Sequence, residues 1–109
     1  MHLSGYRIMW MLVMFDLPVT EKPERKAAAR FRHFLLDEGF EMSQFSVYVR
    51  YCKGKEQVDA IAGRIERALP EAGKVKILSF TDKQYESIKS FYGKAPDSSE
   101  KPPDQLTLF

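Results

Sequence analysis

The sequence predicts an α+β domain in which two amphipathic helices pack on one face of an antiparallel sheet. Three observations carry that prediction. An unbroken apolar run from Ile8 to Phe15 has the length and composition of a central strand. Two segments, about Glu21 to Glu38 and about Glu56 to Leu69, place their apolar residues at helical spacing. Strand-like stretches follow each of them, at Phe40 to Cys52 and at Val75 to Phe80.

The first strand contains no polar break, so both of its faces are expected to be covered. Pro18 cannot join a ladder, and the strand is therefore expected to stop near Asp16. Thr20 then reads as a helix N-cap, with Glu21 and Glu24 favourable near the positive end and Pro23 tolerated in the first turn. Along that helix Ala27, Ala28, Phe31, Phe34 and Leu35 share one face, and Lys22, Lys26, Arg30 and His33 share the opposite one. Gly39 stands where a left-handed C-terminal residue is needed.

Alternation follows. Phe45, Val47, Val49 and Tyr51 fall on one face of a strand; Gln44, Ser46, Tyr48 and Arg50 fall on the other, which reads as the polar face. The pattern leaves open whether Phe40 to Cys52 is one strand or a bent pair. After the turn at Lys53-Gly54-Lys55, the second helix presents Val58, Ile61, Ala62, Ile65, Ala68 and Leu69, and Pro70 and Gly73 close it. Thr81-Asp82-Lys83 is expected to turn the chain. Tyr85 to Tyr92 fits neither period well and is read as a short turn followed by an edge strand.

Strand, helix, strand or hairpin, helix, strand is the order of a ferredoxin-like fold. Residues 1–92 form this domain, 93–105 a polar, proline-containing flexible linker, and 106–109 a C-terminal edge strand in which Leu106, Leu108 and Phe109 dock on a partner. The second face of the sheet is left open, to be solvated or covered by another copy of the chain.

A chain of 109 residues with a single cysteine needs no disulfide and suits a reducing cytoplasm. The apolar run at Ile8 is too short to span a membrane, so no membrane partner is expected. Net charge is +2, weak support for a nucleic-acid partner. The first 55 residues hold nine Lys or Arg against six Asp or Glu, a slight basic bias.

Candidate chemistry is sparse. Asp16 stands where a buried strand emerges into a loop, and its carboxylate could bind Mg²⁺ or simply end the strand through a turn. His2 and His33 read as surface histidines, and Cys52 as a structural residue without a histidine partner. No phosphate loop, zinc spacing or carboxylate pair is present, so any hydrolysis depends on a metal-bound water. The stripe Lys22, Lys26, Arg30 and His33, flanked by Arg25 and Arg32, could contact phosphates, and Arg50 on the strand could add to it, as against an ordinary solvated helix face.

Together these residues resemble the CRISPR-associated protein 2 family. The likeness lies in the strand ending at Asp16, the helix with Arg30 and Phe34-Leu35, and Gly39-Phe40. It continues through Gln44-Phe45-Ser46-Val47-Tyr48, the stretch Lys74 to Gln84, and the tail Gln105 to Phe109, which is similar to that of type II systems. The resemblance implies a homodimer with facing sheets and a divalent metal, Mg²⁺, shared by two copies of Asp16. It also implies an endonuclease acting on RNA or DNA, double-stranded DNA or single-stranded RNA as the nucleic-acid partner, and phosphate contacts at Arg25, Arg30 and Arg50. Alternatively, it implies a non-catalytic subunit that holds prespacer DNA and bridges dimers of the CRISPR integrase. A more distant reading on the same fold is a small-molecule-binding regulatory domain.

Overall fold

The computed structural model describes residues 7–94; the expectations for His2 and for segments 95–105 and 106–109 lie outside the described residues. Four strands and three helices follow in the order β1 (Met9–Asp16), α1 (Lys22–Asp37), β2 (Glu41–Gln44), β3 (Val47–Cys52), α2 (Lys55–Arg67), β4 (Lys74–Thr81) and α3 (Asp82–Glu86). The sheet is antiparallel throughout, in the order β2-β3-β1-β4. This is the ferredoxin-like arrangement, with β1 central as its composition requires.

One hydrophobic layer joins the helices to the sheet. Phe31 and Leu35 of α1 and Val58, Ile61 and Ile65 of α2 meet Met11 and Val13 of β1, with Phe40, Tyr48 and Cys52 completing the core. Phe31 stacks edge-on against Phe15, their ring centroids 5.3 Å apart. The helical positions match the expected faces, because a stripe at helical spacing has one way to meet a sheet.

The strand faces require a correction. Register places Tyr48 opposite Val13, Arg50 opposite Met11 and Cys52 opposite Met9, so the face expected to be polar is the one under the helices. Tyr48 and Cys52 are buried there. Arg50 lies over the same side and carries its guanidinium to the end of α1, where it donates to the backbone oxygen of Glu38 and, at 2.9 Å, to that of Tyr51. Long amphipathic side chains bury their stems and keep their polar ends satisfied, so polarity alone does not identify the outer face.

The apolar residues of the other face form an uncovered surface. Trp10, Leu12 and Met14 lie beside Val47, Val49 and Tyr51 on one flank, and Leu78 and Phe80 on the other. Leu78 is 52% exposed, and Met14 and Tyr51 are exposed as well. The central strand is therefore buried on one face only within this chain, and the second sheet face is left open, as the order of elements implies.

Two boundaries also differ, and one that the pattern left open is resolved as a pair of strands. The N-cap of α1 is Glu21 rather than Thr20, because the Glu24 carboxylate accepts from the backbone N–H of Glu21 at 2.9 Å and of Thr20 at 3.0 Å. Residues 40–52 form two strands, joined through Phe45 and Ser46, the latter at φ 65. The expected edge strand within Tyr85–Tyr92 does not form. Instead α3 is capped by Thr81, whose Oγ1 accepts from the Gln84 N–H at 3.1 Å, while Gln84 Oε1 accepts from the Thr81 N–H at 2.9 Å. Residues 87–94 have no regular secondary structure.

Helix α3 is tied to the uncovered sheet face. The Trp10 indole N–H donates to Asp82 Oδ1 at 2.7 Å, and the Tyr85 ring stacks on the indole at 3.8 Å with 7° between planes. These contacts cover one end of the apolar surface, the end opposite Asp16.

Candidate functional site

Strand β1 ends at Asp16 because Leu17 and Pro18 turn the chain toward α1. The position is held from both sides. The Phe15 N–H donates to the Ser46 carbonyl at 3.0 Å, and the backbone of Gly73 crosses Asp16 and Leu17 on the way into β4. Gly73 has φ +107, and a Cβ there would lie 2.6 Å from Leu17 Cδ2 and 2.8 Å from the Asp16 carbonyl. Gly73→Ala is expected to cost about 1–3 kcal/mol through forced left-handed geometry alone. Thermal unfolding should fall by at least about 4–8 °C. An unchanged midpoint would show that the crossing has room to relax.

Asp16 is exposed and lies on the same sheet face as Trp10, Leu12 and Met14, at the far end of their row. Its cross-strand neighbour on β4 is Lys74, and Met14 is opposite Lys76. Both lysines therefore share the face of Asp16, and both are exposed. Among the described residues no three His, Cys, Asp or Glu side chains come together as a metal cluster. Among the paired β1 and β4 residues at this end of the uncovered face, Asp16 is the carboxylate.

The three arginines do not converge. Arg25 folds back on the loop before α1, its Nη1 donating to Thr20 O at 2.8 Å and Val19 O at 3.3 Å. Arg30 follows five residues later, about 140° around the helix, and borders a recess with Phe34, Leu69 and Pro70. Arg50 is engaged under the sheet as described. The exposed stripe of Lys22, Lys26, Arg30 and His33 does run along one face of α1, as its spacing predicts.

Glu38, Arg64, Cys52 and Tyr48 serve the fold. Arg64 forms a two-bond pair with Glu38, both contacts at 2.9 Å, tying α2 to the C-terminal end of α1. That hydrogen-bonded pairing holds the Glu38 carboxyl below its usual range. Burial pushes the Cys52 thiol up, away from the thiolate a nucleophile would need. Burial likewise raises the Tyr48 phenol.

With an exposed strand-end carboxylate on a ferredoxin-like sheet in place, comparison with known proteins is decisive. A family model described as CRISPR associated protein Cas2 matches residues 9–88. The chain belongs to the Cas2 family. It is 59% identical over 107 residues to a protein of Paracidovorax avenae named CRISPR-associated endoribonuclease Cas2, covering 98% of this chain and 99% of that one. A protein of Flavobacterium psychrophilum with the same name is 48% identical, covering 98% and 93% of the two chains. A solved Cas2 crystal structure aligns with a TM-score of 0.55 at 25% identity, over 82% of this chain and 93% of that one.

The Cas2 match spans every described strand and helix, including α3, and thus the whole surface around Asp16. Among the described residues, no helix is long and apolar enough to cross a membrane. The recesses beside Pro70 are open and lined by Leu17, Pro23, Ala27 and Leu69 together with Glu24, Arg30 and Glu71. Sequence reasoning missed Lys74 and Lys76, whose proximity to Asp16 depends on strand register. It also missed the Trp10–Asp82–Tyr85 cluster, although the capping signature Thr81-x-x-Gln84 was present to find α3.

Proposed function

We propose that two copies of this chain join through the uncovered apolar sheet face to form a homodimer serving CRISPR spacer acquisition. The dimer holds prespacer DNA and bridges dimers of the integrase. The observation that supports this reading most directly is the position of Asp16 on the same face as the apolar row and at its end. Association about a two-fold axis there duplicates the carboxylate and brings two copies to one cleft.

Mg²⁺ commonly keeps several waters and takes only one or two protein carboxylates, so two copies of Asp16 are a sufficient protein contribution. When bound, the ion would activate water and stabilise charge at a phosphodiester, allowing endonucleolytic cleavage of single-stranded RNA or duplex DNA. The chain's own residues set the site's position: Gly73 and Ser46 hold the backbone on either side of Asp16. Arg25 and Arg30 serve as phosphate contacts along α1, and Arg50 chiefly braces the end of that helix.

The integrase contact is assigned to Leu106, Leu108 and Phe109, outside the described residues. Strand addition by such a segment supplies backbone hydrogen bonds and alternating side-chain contacts. Removal of residues 105–109 is expected to weaken co-assembly with the integrase and retention of duplex DNA by the complex. Circular dichroism should show the domain still folded. Unchanged assembly affinity in the truncated chain would remove the tail from the interface.

A further inference from the structure

We infer that Lys74 and Lys76 hold a nucleic-acid phosphate beside Asp16, so that the polyanion and the divalent cation enter the site together. This deepens the reading of Asp16 given above and depends on it only for the metal. The register carries the argument. Asp16 and Lys74 are directly opposed on β1 and β4, and Lys76 follows two residues along, opposite Met14. Opposed residues of antiparallel strands point to the same face with Cβ atoms about 4.5–5.5 Å apart. Residues two apart on one strand also share a face.

Two further features make this a held arrangement. Gly73 lies against the Asp16 carbonyl and the Leu17 side chain immediately before Lys74, which pins the last pair of the ladder. In the single chain all three side chains are exposed, at the end of the face and beyond its apolar centre. Neither lysine is locked to the carboxylate: among the described residues, the ion pair within 4.0 Å is Arg64 with Glu38. The ammonium groups remain available to a ligand on long flexible stems, acting as point charges.

The charge balance then indicates the ligand. Each chain places two ammonium groups and one carboxylate on this end of the face, a net positive charge that favours an anion over a bare dication. A phosphodiester satisfies the lysines and offers oxygens to the cation, while Asp16 supplies the protein ligand. Cation and nucleic acid therefore favour one another's binding, and the favour is reciprocal. The shared chemistry is the phosphodiester, from single-stranded RNA or from duplex DNA.

The test uses the full chain, its Lys74→Gln/Lys76→Gln double variant and Asp16→Asn, with fluorescent RNA and duplex DNA of non-cleavable phosphorothioate backbone. Without metal, the double variant should lose salt dependence, its log–log slope falling by about 1.8 per chain for duplex or about 1.4 for single strands. A loss confined to one nucleic acid supports the proposal and identifies which source supplies the phosphate. Mn²⁺ binding, followed by electron paramagnetic resonance, should tighten at least tenfold when oligonucleotide is present, and that gain should vanish in the double variant. Unchanged salt slopes for both nucleic acids, or Mn²⁺ binding indifferent to oligonucleotide with Asp16 intact, would overturn the proposal. Asp16→Asn separates the two claims. If it binds Mn²⁺ as the unaltered chain does, the metal assignment fails, whereas the metal-free salt slope still decides the lysines.

Discussion

Asp16→Asn is expected to abolish metal-dependent cleavage of RNA or DNA while leaving the fold, the dimer and metal-free DNA binding intact. The substitution keeps the side chain's size and removes its charge. Asp16 is exposed, at the end of β1, so the fold loses little; surface changes of this kind usually stay within about 0.5 kcal/mol. The site loses the one carboxylate that each chain offers there. Charge stabilisation by a catalytic metal amounts to several kcal/mol, and each 1.36 kcal/mol is tenfold in rate, so the expected loss is about two to three orders of magnitude. Cleavage assays with Mg²⁺ and with chelator, beside sedimentation of the purified variant, make the comparison. A variant that cuts as fast as the unaltered protein would end the catalytic assignment. Spacer acquisition by the same variant addresses the cellular role. Retained acquisition supports a bridging subunit whose chemistry is dispensable, and its loss with an intact complex shows that the chemistry is used.

What the sequence made legible was whatever a local period determines. Val58, Ile61 and Ile65 are buried on α2, and Ala28, Phe31 and Leu35 on α1, because helical spacing defines a single stripe and the core lies beneath it. β1 is central because an unbroken apolar strand cannot sit comfortably at an edge. The alternation of β3, by contrast, has no sign. It separates Val47, Val49 and Tyr51 from Tyr48, Arg50 and Cys52, yet both sets can be buried when one sheet face meets helices and the other is itself apolar. Register between distant strands is likewise invisible to local patterning, which is why Asp16 was readable as a strand-end carboxylate but its lysine neighbours were not. The misread segment after β4 had a different cause: the apolar residues of Tyr85 to Tyr92 fit neither period, and Thr81-Asp82-Lys83 was read as a turn although Thr81 and Gln84 form the capping pair that starts a helix.

Leu78→Asp is expected to dissociate the dimer while leaving the single chain folded. Leu78 lies on β4 opposite Leu12, in the middle of the apolar face that also holds Trp10, Met14, Val47, Val49 and Phe80. At 52% exposure it contributes little to the packing of its own chain, and β4 keeps its full ladder with β1 in the variant. Full burial of a leucine side chain stabilises by about 1.5–3 kcal/mol; about half of Leu78 remains to be buried, and a two-fold interface loses that half twice. The loss of about 1.5–3 kcal/mol corresponds to a dissociation constant raised by about one to two orders of magnitude, before any cost of burying two carboxylates. Sedimentation across a concentration series reads the shift directly, and circular dichroism confirms the fold. Leu36→Asp is the matched control, since Leu36 is 50% exposed but belongs to α1, on the helix side of the molecule. If Leu78→Asp stays dimeric at the same concentrations as Leu36→Asp, the copies meet elsewhere and the two Asp16 carboxylates have no shared cleft. If Leu78→Asp becomes monomeric and also loses metal-dependent cleavage with Asp16 untouched, the metal site belongs to the pair of chains rather than to either one.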